Sequence, residues 1–364
     1  MMDFVFFVAG LGLLVVGAEL LVRGASRLAL AIGISPLVVG LTVVAYGTSA
    51  PEVAVSVGAA YAAQTDIAIG NVVGSNIFNV LFILGLSALI VPLVINRQII
   101  RQEVPIMIGV SVLCVALAWN GMIGVLESGL LVALLFAYTI FLVVQSRRET
   151  QRNAADVANE VDQAGTGGWA SSRLVQVGLI LAGLVCLVIG SRFLVSASIA
   201  FAQSLGVSEL VIGLTIVAAG TSLPEVATSI TAAIKGERDI AVGNVVGSNI
   251  FNILGALGLS GLAAGVAGSG GLGVASSVMA FDIWVMLATA VACIPIFLSG
   301  REIARWEGFV FVAYYVFYVT YLVLAAEQHD ALETLTTAMV YFVIPLTLVT
   351  TVAIYLRPNR TGNV

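Results

Sequence analysis

Charge is what this chain has least of. Asp, Glu, Lys and Arg together make up 10% of its 364 residues, against 60% hydrophobic residues, too few to cover a water-exposed surface of that size. A mean hydropathy of +1.10 agrees, and an integral membrane protein is expected. Histidine occurs once, at His329 in a polar loop, so no paired-imidazole metal site can be assembled. The cysteines are few, and Cys114, Cys186 and Cys293 lie singly in apolar runs, which excludes a disulfide framework and a metal knuckle. The net charge of −5 is scattered over loops and helix ends. It singles out no partner beyond the lipid bilayer, and neither nucleic acid nor an obligate protein partner is expected. Residues 1–22 carry no basic leader and no small-residue cleavage site, and read as a retained first helix.

What the chain does have, it has twice. Gly40 to Asn79 reads GLTVVAYGTSAPEVAVSV and then DIAIGNVVGSNIFN; Gly213 to Asn252 reads GLTIVAAGTSLPEVATSI and then DIAVGNVVGSNIFN. The offset is constant at 173, as from Glu52 to Glu225 and from Ser75 to Ser248. Identical Gly, Pro, Glu, Ser and Asn positions in register mark an internal duplication.

Spanning helices need about 20 mostly apolar residues. Such segments fall near 4–22, 35–62, 67–92, 103–119 and 123–145, and again near 174–196, 207–234, 240–267, 275–299 and 306–325. A further run, Met339 to Leu356, makes an eleventh helix. The expected division is a five-helix repeat over 1–145, a cytoplasmic linker over 146–173, a second five-helix repeat over 174–325, and an extra helix and tail over 326–364. Five is odd, so the two copies enter the membrane in opposite senses, as in secondary transporters. Cytoplasmic loops collect Lys and Arg. With the N-terminus outside and the C-terminus inside, 14 of the 15 basic residues fall on the inner side, Arg192 being the exception. The expected fold is therefore all-α, with two inverted five-helix repeats.

Glu52 is the sixteenth residue from Leu37 in its apolar run, which puts it near the bilayer centre, and Glu225 reaches the same depth from the other side. An acid at a helix centre costs about 2.5 to 3.5 kcal/mol to insert. No Lys or Arg lies at that depth, so a cation from solution is the natural compensator. Ser49 to Glu52 and Ser222 to Glu225 also fit a capping box, with Pro in the first turn, which predicts helix breaks at Gly47 and Gly220. Broken helices persist in membranes only where their backbone is buried in protein or lines a cavity. Such a break would free the carbonyls of Ala45 and Ala218 as ligands. Asn71, Ser75 and Asn79 share one helical face, as do Asn244, Ser248 and Asn252; of these, Asn71 and Asn244 read equally well as helix-packing amides. Thr48, Ser49, Thr221 and Ser222 add hydroxyls beside each Glu. Oxygen-only ligands with two carboxylates suit Ca²⁺ or Na⁺ rather than zinc or copper.

GTSAPE and GTSLPE, with GNVVGSNIFN twice, resemble the alpha repeats of the cation/calcium exchanger superfamily, and within it a sodium/calcium exchanger. The resemblance covers roughly residues 4–325. It implies a ten-helix core in which the second, third, seventh and eighth helices surround the ions while the first and sixth slide to alternate access. Carried over by position, it implies that Glu52 and Glu225 are shared by Ca²⁺ and Na⁺. Thr48, Ser49, Ser75, Thr221, Ser222, Ser248 and the carbonyls of Ala45 and Ala218 would complete the Na⁺ sites, with Asn79 and Asn252 beside them. Relatives carry Asp at one position of the last pair; two Asn here imply exchange that does not need K⁺. No cofactor is implied beyond the transported ions, and the expected location is the cell membrane, crossed many times. The alternative is a Ca²⁺/H⁺ or other cation exchanger of the same fold. An intramembrane hydrolase would need a nucleophile with a base, which a lone loop histidine does not supply. Glu103, Glu127, Asp282 and Glu307 stand at helix starts, where an acid suits the helix dipole. Glu19 and Arg192, at equivalent positions, read as snorkelling charges.

Overall fold

A computed structural model of the chain describes residues 2–152, 172–205, 216 and 218–347. Most of the expected linker, the first half of the expected seventh helix and the tail from 348 lie outside the described residues. The helices are α1 (Met2–Ile32), α2 (Pro36–Thr48), α3 (Ala50–Tyr61), α4 (Thr65–Ile90), α5 (Ile99–Ala118) and α6 (Val125–Arg152). After the linker come α7 (Arg173–Ser204), α8 (Leu223–Ile234), α9 (Arg238–Val266), α10 (Val278–Leu298), α11 (Arg305–Ala326) and α12 (Ala331–Thr347). Among the described residues, eight helices are long and apolar enough to cross a membrane, and nine if the bent pair α2 and α3 is one span.

The differences from the expected spans have physical causes. α1 runs to Ile32 rather than stopping at Val22, because its first basic residue is neutralised along the helix: Arg23 donates to Glu19 at 2.9 Å. Lys235, at the end of α8, pairs with the same carboxylate. α6 likewise continues to Arg152, through what read as the start of the linker. The extra helix begins earlier than expected, at Ala331, and is described as far as Thr347.

α1 and α7, of 31 and 32 residues, are about 47 Å long at 1.5 Å per residue, well beyond the ~30 Å hydrocarbon core. They pack antiparallel on glycines a heptad apart. A Cβ on Gly17 would sit 2.8 Å from the Gly183 carbonyl oxygen, and one on Gly183 would sit 2.7 Å from the Gly17 oxygen. Gly10 and Gly190 repeat the contact one heptad away. Without a hydrophobic drive between helices in lipid, such backbone contact is a main source of association. In the same way Gly85 of α4 meets Gly308 of α11. The central stretch of α9, the helix of the second GNVVGSNIFN motif, is wholly buried, whereas most of α11 is only half-buried.

Two short strand pairs depart from an all-helical reading. β1 (Leu93–Val94) pairs antiparallel with β4 (Glu302–Ile303), and β2 (Met122–Gly124) with β3 (Gly271–Gly273). Each joins a loop of the first half to a loop of the second. Gly271, at φ +152°, has no room for a Cβ, which would lie 2.4 Å from the Ile123 carbonyl oxygen. Leu93, Ile123, Leu272 and Ile303 are all buried, so the loops are held by apolar contact as well as by hydrogen bonds.

Gly183→Leu is expected to wedge α1 from α7 and to destabilise the purified protein by about 1–3 kcal/mol, the usual cost of overpacking. Gly12→Leu, where a Cβ meets nothing within 4 Å, should leave the thermal unfolding temperature unchanged.

Candidate cation-binding site

The two carboxylates sit at two bends. α2 and α3 meet at 46° with Ser49 between them, at φ −80° and ψ 8°. In the second half the short turn Ala218–Gly220 ends before Ser222, at φ −89° and ψ 8°, and α8 follows. The breaks therefore fall just past Gly47 and Gly220 rather than at them. Those glycines serve another purpose, letting α7 close on both bends: a Cβ on Gly47 would meet Leu184 at 2.7 Å, and one on Gly220 would meet Val195 at 2.5 Å.

Neither serine caps its own helix, which overturns the capping-box reading. Each hydroxyl instead crosses to the other copy of the motif. Ser49 Oγ donates to Glu225 Oε1 at 2.8 Å, and Ser222 Oγ donates to Glu52 Oε1 at 2.7 Å. Each serine thus spends its hydroxyl proton on a carboxylate of the facing bend, and its oxygen takes no amide of its own helix. The capping geometry does occur elsewhere: Glu127 accepts from the Gly124 amide at 2.5 Å and Glu307 from the Ala304 amide at 2.8 Å.

The crossing continues below the carboxylates. Thr48 Oγ1 donates to Asn244 Oδ1 at 3.2 Å, and Thr221 Oγ1 to Asn71 Oδ1 at 3.3 Å. Asn71 and Asn244 use their amides on Ser56 and Ser229, each at 2.9 Å, so both act as the packing amides weighed above. Asn76 and Asn249 donate to each other's backbone carbonyls at 3.2 and 3.3 Å. Their side-chain oxygens receive the amides of Asn252 at 3.1 Å and Asn79 at 3.0 Å. Every one of these bonds has a partner bond displaced by 173 positions.

Of these residues, six buried oxygens have no hydrogen-bond partner: Glu52 Oε2, Ser75 Oγ, Asn79 Oδ1, Glu225 Oε2, Ser248 Oγ and Asn252 Oδ1. Each half contributes one carboxylate, one hydroxyl and one amide oxygen. Both acids are effectively sealed, Glu52 at 1% exposure and Glu225 at 0%. Buried oxygens without partners are costly and need an explanation. Arg23 and Lys235 both pair with Glu19, and among the described residues no basic side chain forms an ion pair with Glu52 or Glu225. A hard cation fits this donor set, since Ca²⁺ takes 6–8 oxygens and prefers carboxylate, amide and hydroxyl ligands.

The predicted residues are therefore brought together unequally. Glu52, Glu225, Ser75, Ser248, Asn79 and Asn252 offer free oxygens, whereas Ser49, Ser222, Thr48 and Thr221 are engaged in holding the two halves together. The Ala45 carbonyl is not released by the bend; it accepts from Ser49 N at 3.0 Å and Thr48 Oγ1 at 3.3 Å. Ala218 opens the described part of its segment. Asn76 and Asn249 were missed, because they lie one residue off the Asn71–Ser75–Asn79 face. The signal was there in the unchanged decapeptide that contains them.

A multi-pass membrane protein with a buried, doubly acidic, oxygen-only centre is the class this arrangement defines. The model of the family described as sodium/calcium exchanger protein matches residues 2–145 and 175–324, and the chain belongs to that family. It is 35% identical over 353 residues to the sodium/calcium exchanger MaX1 of Methanosarcina acetivorans, covering 88% of this chain and 98% of that one. To the inner membrane protein YrbG of Escherichia coli it is 38% identical over 249 residues, 68% of this chain and 75% of the relative. The solved sodium-calcium exchanger NCX_Mj, soaked with 2.5 mM Na⁺ and 0.1 mM Ca²⁺, superposes with a TM-score of 0.72 at 28% identity. That match covers 88% of this chain and 98% of the other. The chain is thus a multi-pass membrane transporter of a cation-exchanging family, not an enzyme.

Asn76→Ala and Asn249→Ala, which contribute no free oxygen, should each weaken Ca²⁺ binding about tenfold in calorimetry by releasing the amides of Asn252 and Asn79. Unchanged affinity would mean that the four-amide cluster does not orient the ligands.

Proposed function

We propose that this chain is a secondary-active antiporter that exchanges Na⁺ for Ca²⁺ across the cell membrane. The observation that carries the reading is the set of six partnerless buried oxygens, three from each half, on Glu52, Ser75 and Asn79 and on Glu225, Ser248 and Asn252. Two carboxylates balance one Ca²⁺. Na⁺ ions would spread over the same oxygens, using Ser75 and Ser248, while Thr48, Ser49, Thr221 and Ser222 hold the two carboxylate-bearing bends together. Three Na⁺ against one Ca²⁺ would move one net charge per cycle, so transport would be electrogenic. Asn79 and Asn252 are neutral amides, so these two positions offer no further carboxylate for K⁺, which supports K⁺-independent exchange.

Alternating access is supported by the construction. Two half-sites meet at two bends, and α7, locked to α1 through glycines, lies against both. The arrangement fits an N-out, C-in chain of ten core helices in inverted repeats, 1–145 and 174–325, joined by a cytoplasmic linker over 146–173 and followed by the extra helix and tail over 326–364. The distribution of basic residues supports that orientation.

Proteoliposomes loaded with Na⁺ should accumulate radioactive Ca²⁺ only while an outward Na⁺ gradient exists. Glu52→Gln or Glu225→Gln should reduce uptake to background. Removing K⁺ should have no effect, and an imposed membrane potential should change the rate. Ca²⁺ uptake that follows a pH gradient in the absence of Na⁺ would sink the sodium reading in favour of proton coupling.

A further inference from the structure

A second acidic motif is written twice in the fold, outside the central site. Glu103 ends the first turn of α5, a π-helical turn from Ile99, and Asp282 ends the equivalent turn of α10, from Val278. Each carboxylate accepts a phenol from the next helix: Tyr138 donates to Glu103 Oε2 at 2.7 Å, and Tyr318 to Asp282 Oδ1 at 2.8 Å. Similar pairs in the two halves should serve similar ends, yet their surroundings differ.

Glu103 is sealed and saturated. It is 0% exposed, and its other oxygen accepts from Gln98 at 2.9 Å and Gln102 at 2.7 Å. The space near its Tyr138 is filled from the first bend. The Tyr46 ring stacks on Phe251 at 4.4 Å and its hydroxyl bonds Thr139 at 2.7 Å. Position 219, the counterpart of Tyr46, is alanine.

Asp282 is left open. Tyr318 is its only side-chain partner among the described residues, and it lines a cavity of about 400 Å³. The same cavity is lined by Asn71, Ser75 and Thr221, so it runs from Asp282 to the rim of the central site. Ser75 is 1% exposed, and its hydroxyl has no partner. A cation with six waters needs about 200 Å³ at 30 Å³ per water, which the cavity can hold.

We propose that Asp282 and Tyr318 form a second cation site, at the mouth of this cavity, that takes a partly hydrated Na⁺ or Ca²⁺ and stages it for the central carboxylates. It rests on the exchange reading for its transport role, but not for its ability to bind. The Asp282 carboxylate supplies the charge, and the Tyr318 oxygen supplies a lone pair while its O–H stays hydrogen-bonded to the carboxylate. One carboxylate holds an ion weakly enough to let it move on. With the N-terminus outside, the site faces the extracellular side.

Two measurements test it. In right-side-out and inside-out vesicles, Asp282→Asn should raise the half-saturating Ca²⁺ or Na⁺ concentration about fivefold at the cavity face alone, with the maximal rate kept. Tyr318→Phe should give a smaller rise on the same face, and serves if Asp282→Asn fails to fold. In a Glu52→Gln, Glu225→Gln background, Tb³⁺ should still show tyrosine-sensitised emission, lost on adding Asp282→Asn. Unchanged half-saturation, an equal shift at both faces, or Tb³⁺ emission indifferent to Asp282 would overturn the proposal. If wild-type vesicles show no Na⁺-driven flux while Tb³⁺ emission depends on Asp282, the site stands and the exchange reading falls.

Discussion

Two carboxylates buried without a basic partner cannot both stay charged in a dry protein interior, because desolvation costs several kcal/mol per ion. Glu52 and Glu225 are in that position. Each receives one hydroxyl from the opposite half, through Ser222 and Ser49, and keeps a second oxygen with no partner. One hydrogen bond does not offset burying a charge. Among the described residues no basic side chain pairs with the two acids, so charge balance falls to a cation, and the partnerless oxygens of the repeated motifs suit a hard one. The same imbalance allows exchange: a site that one Ca²⁺ or several Na⁺ can neutralise is filled by one cargo when the other leaves.

The rest of the fold can be read as the means of holding that pair in place. The helices must break where the acids sit, and a break in a membrane survives only when other protein covers it. α7 supplies the cover, reaching both bends through Gly47 and Gly220 and bound to α1 by Gly17 and Gly183. The four amides of Asn76, Asn79, Asn249 and Asn252 join the two copies of the decapeptide at the buried centre. Further out, the strand pairs tie loops of one half to loops of the other. Each device joins the first half to the second, as a site made of two half-sites requires.

How much of this was legible in the sequence depended on whether the information was local. The duplication, the bends and the acids were legible, because periodicity and composition carry them. That Ser49 and Ser222 cross the site rather than cap their own helices was not, since within one copy GTSAPE is a sound capping box, and the carboxylate that accepts each hydroxyl lies on the facing copy. Asn76 and Asn249 were hidden for a related reason: they point off the face expected to carry ligands, towards a partner 173 residues away. The end of α1 was misjudged because Arg23 ends an apolar run but, paired with Glu19, does not end a helix. That Asp282 opens on a cavity while Glu103 is sealed appears only when the two halves are compared in space.

The central claim is that the six partnerless oxygens form one site that Ca²⁺ and Na⁺ occupy in turn. The most direct test is anomalous diffraction from crystals soaked in Sr²⁺ as a Ca²⁺ substitute, over a series of Na⁺ concentrations. The account predicts one strong peak between Glu52 Oε2 and Glu225 Oε2 that fades as Na⁺ rises. A peak lying elsewhere, or one that persists unchanged in high Na⁺, would contradict it.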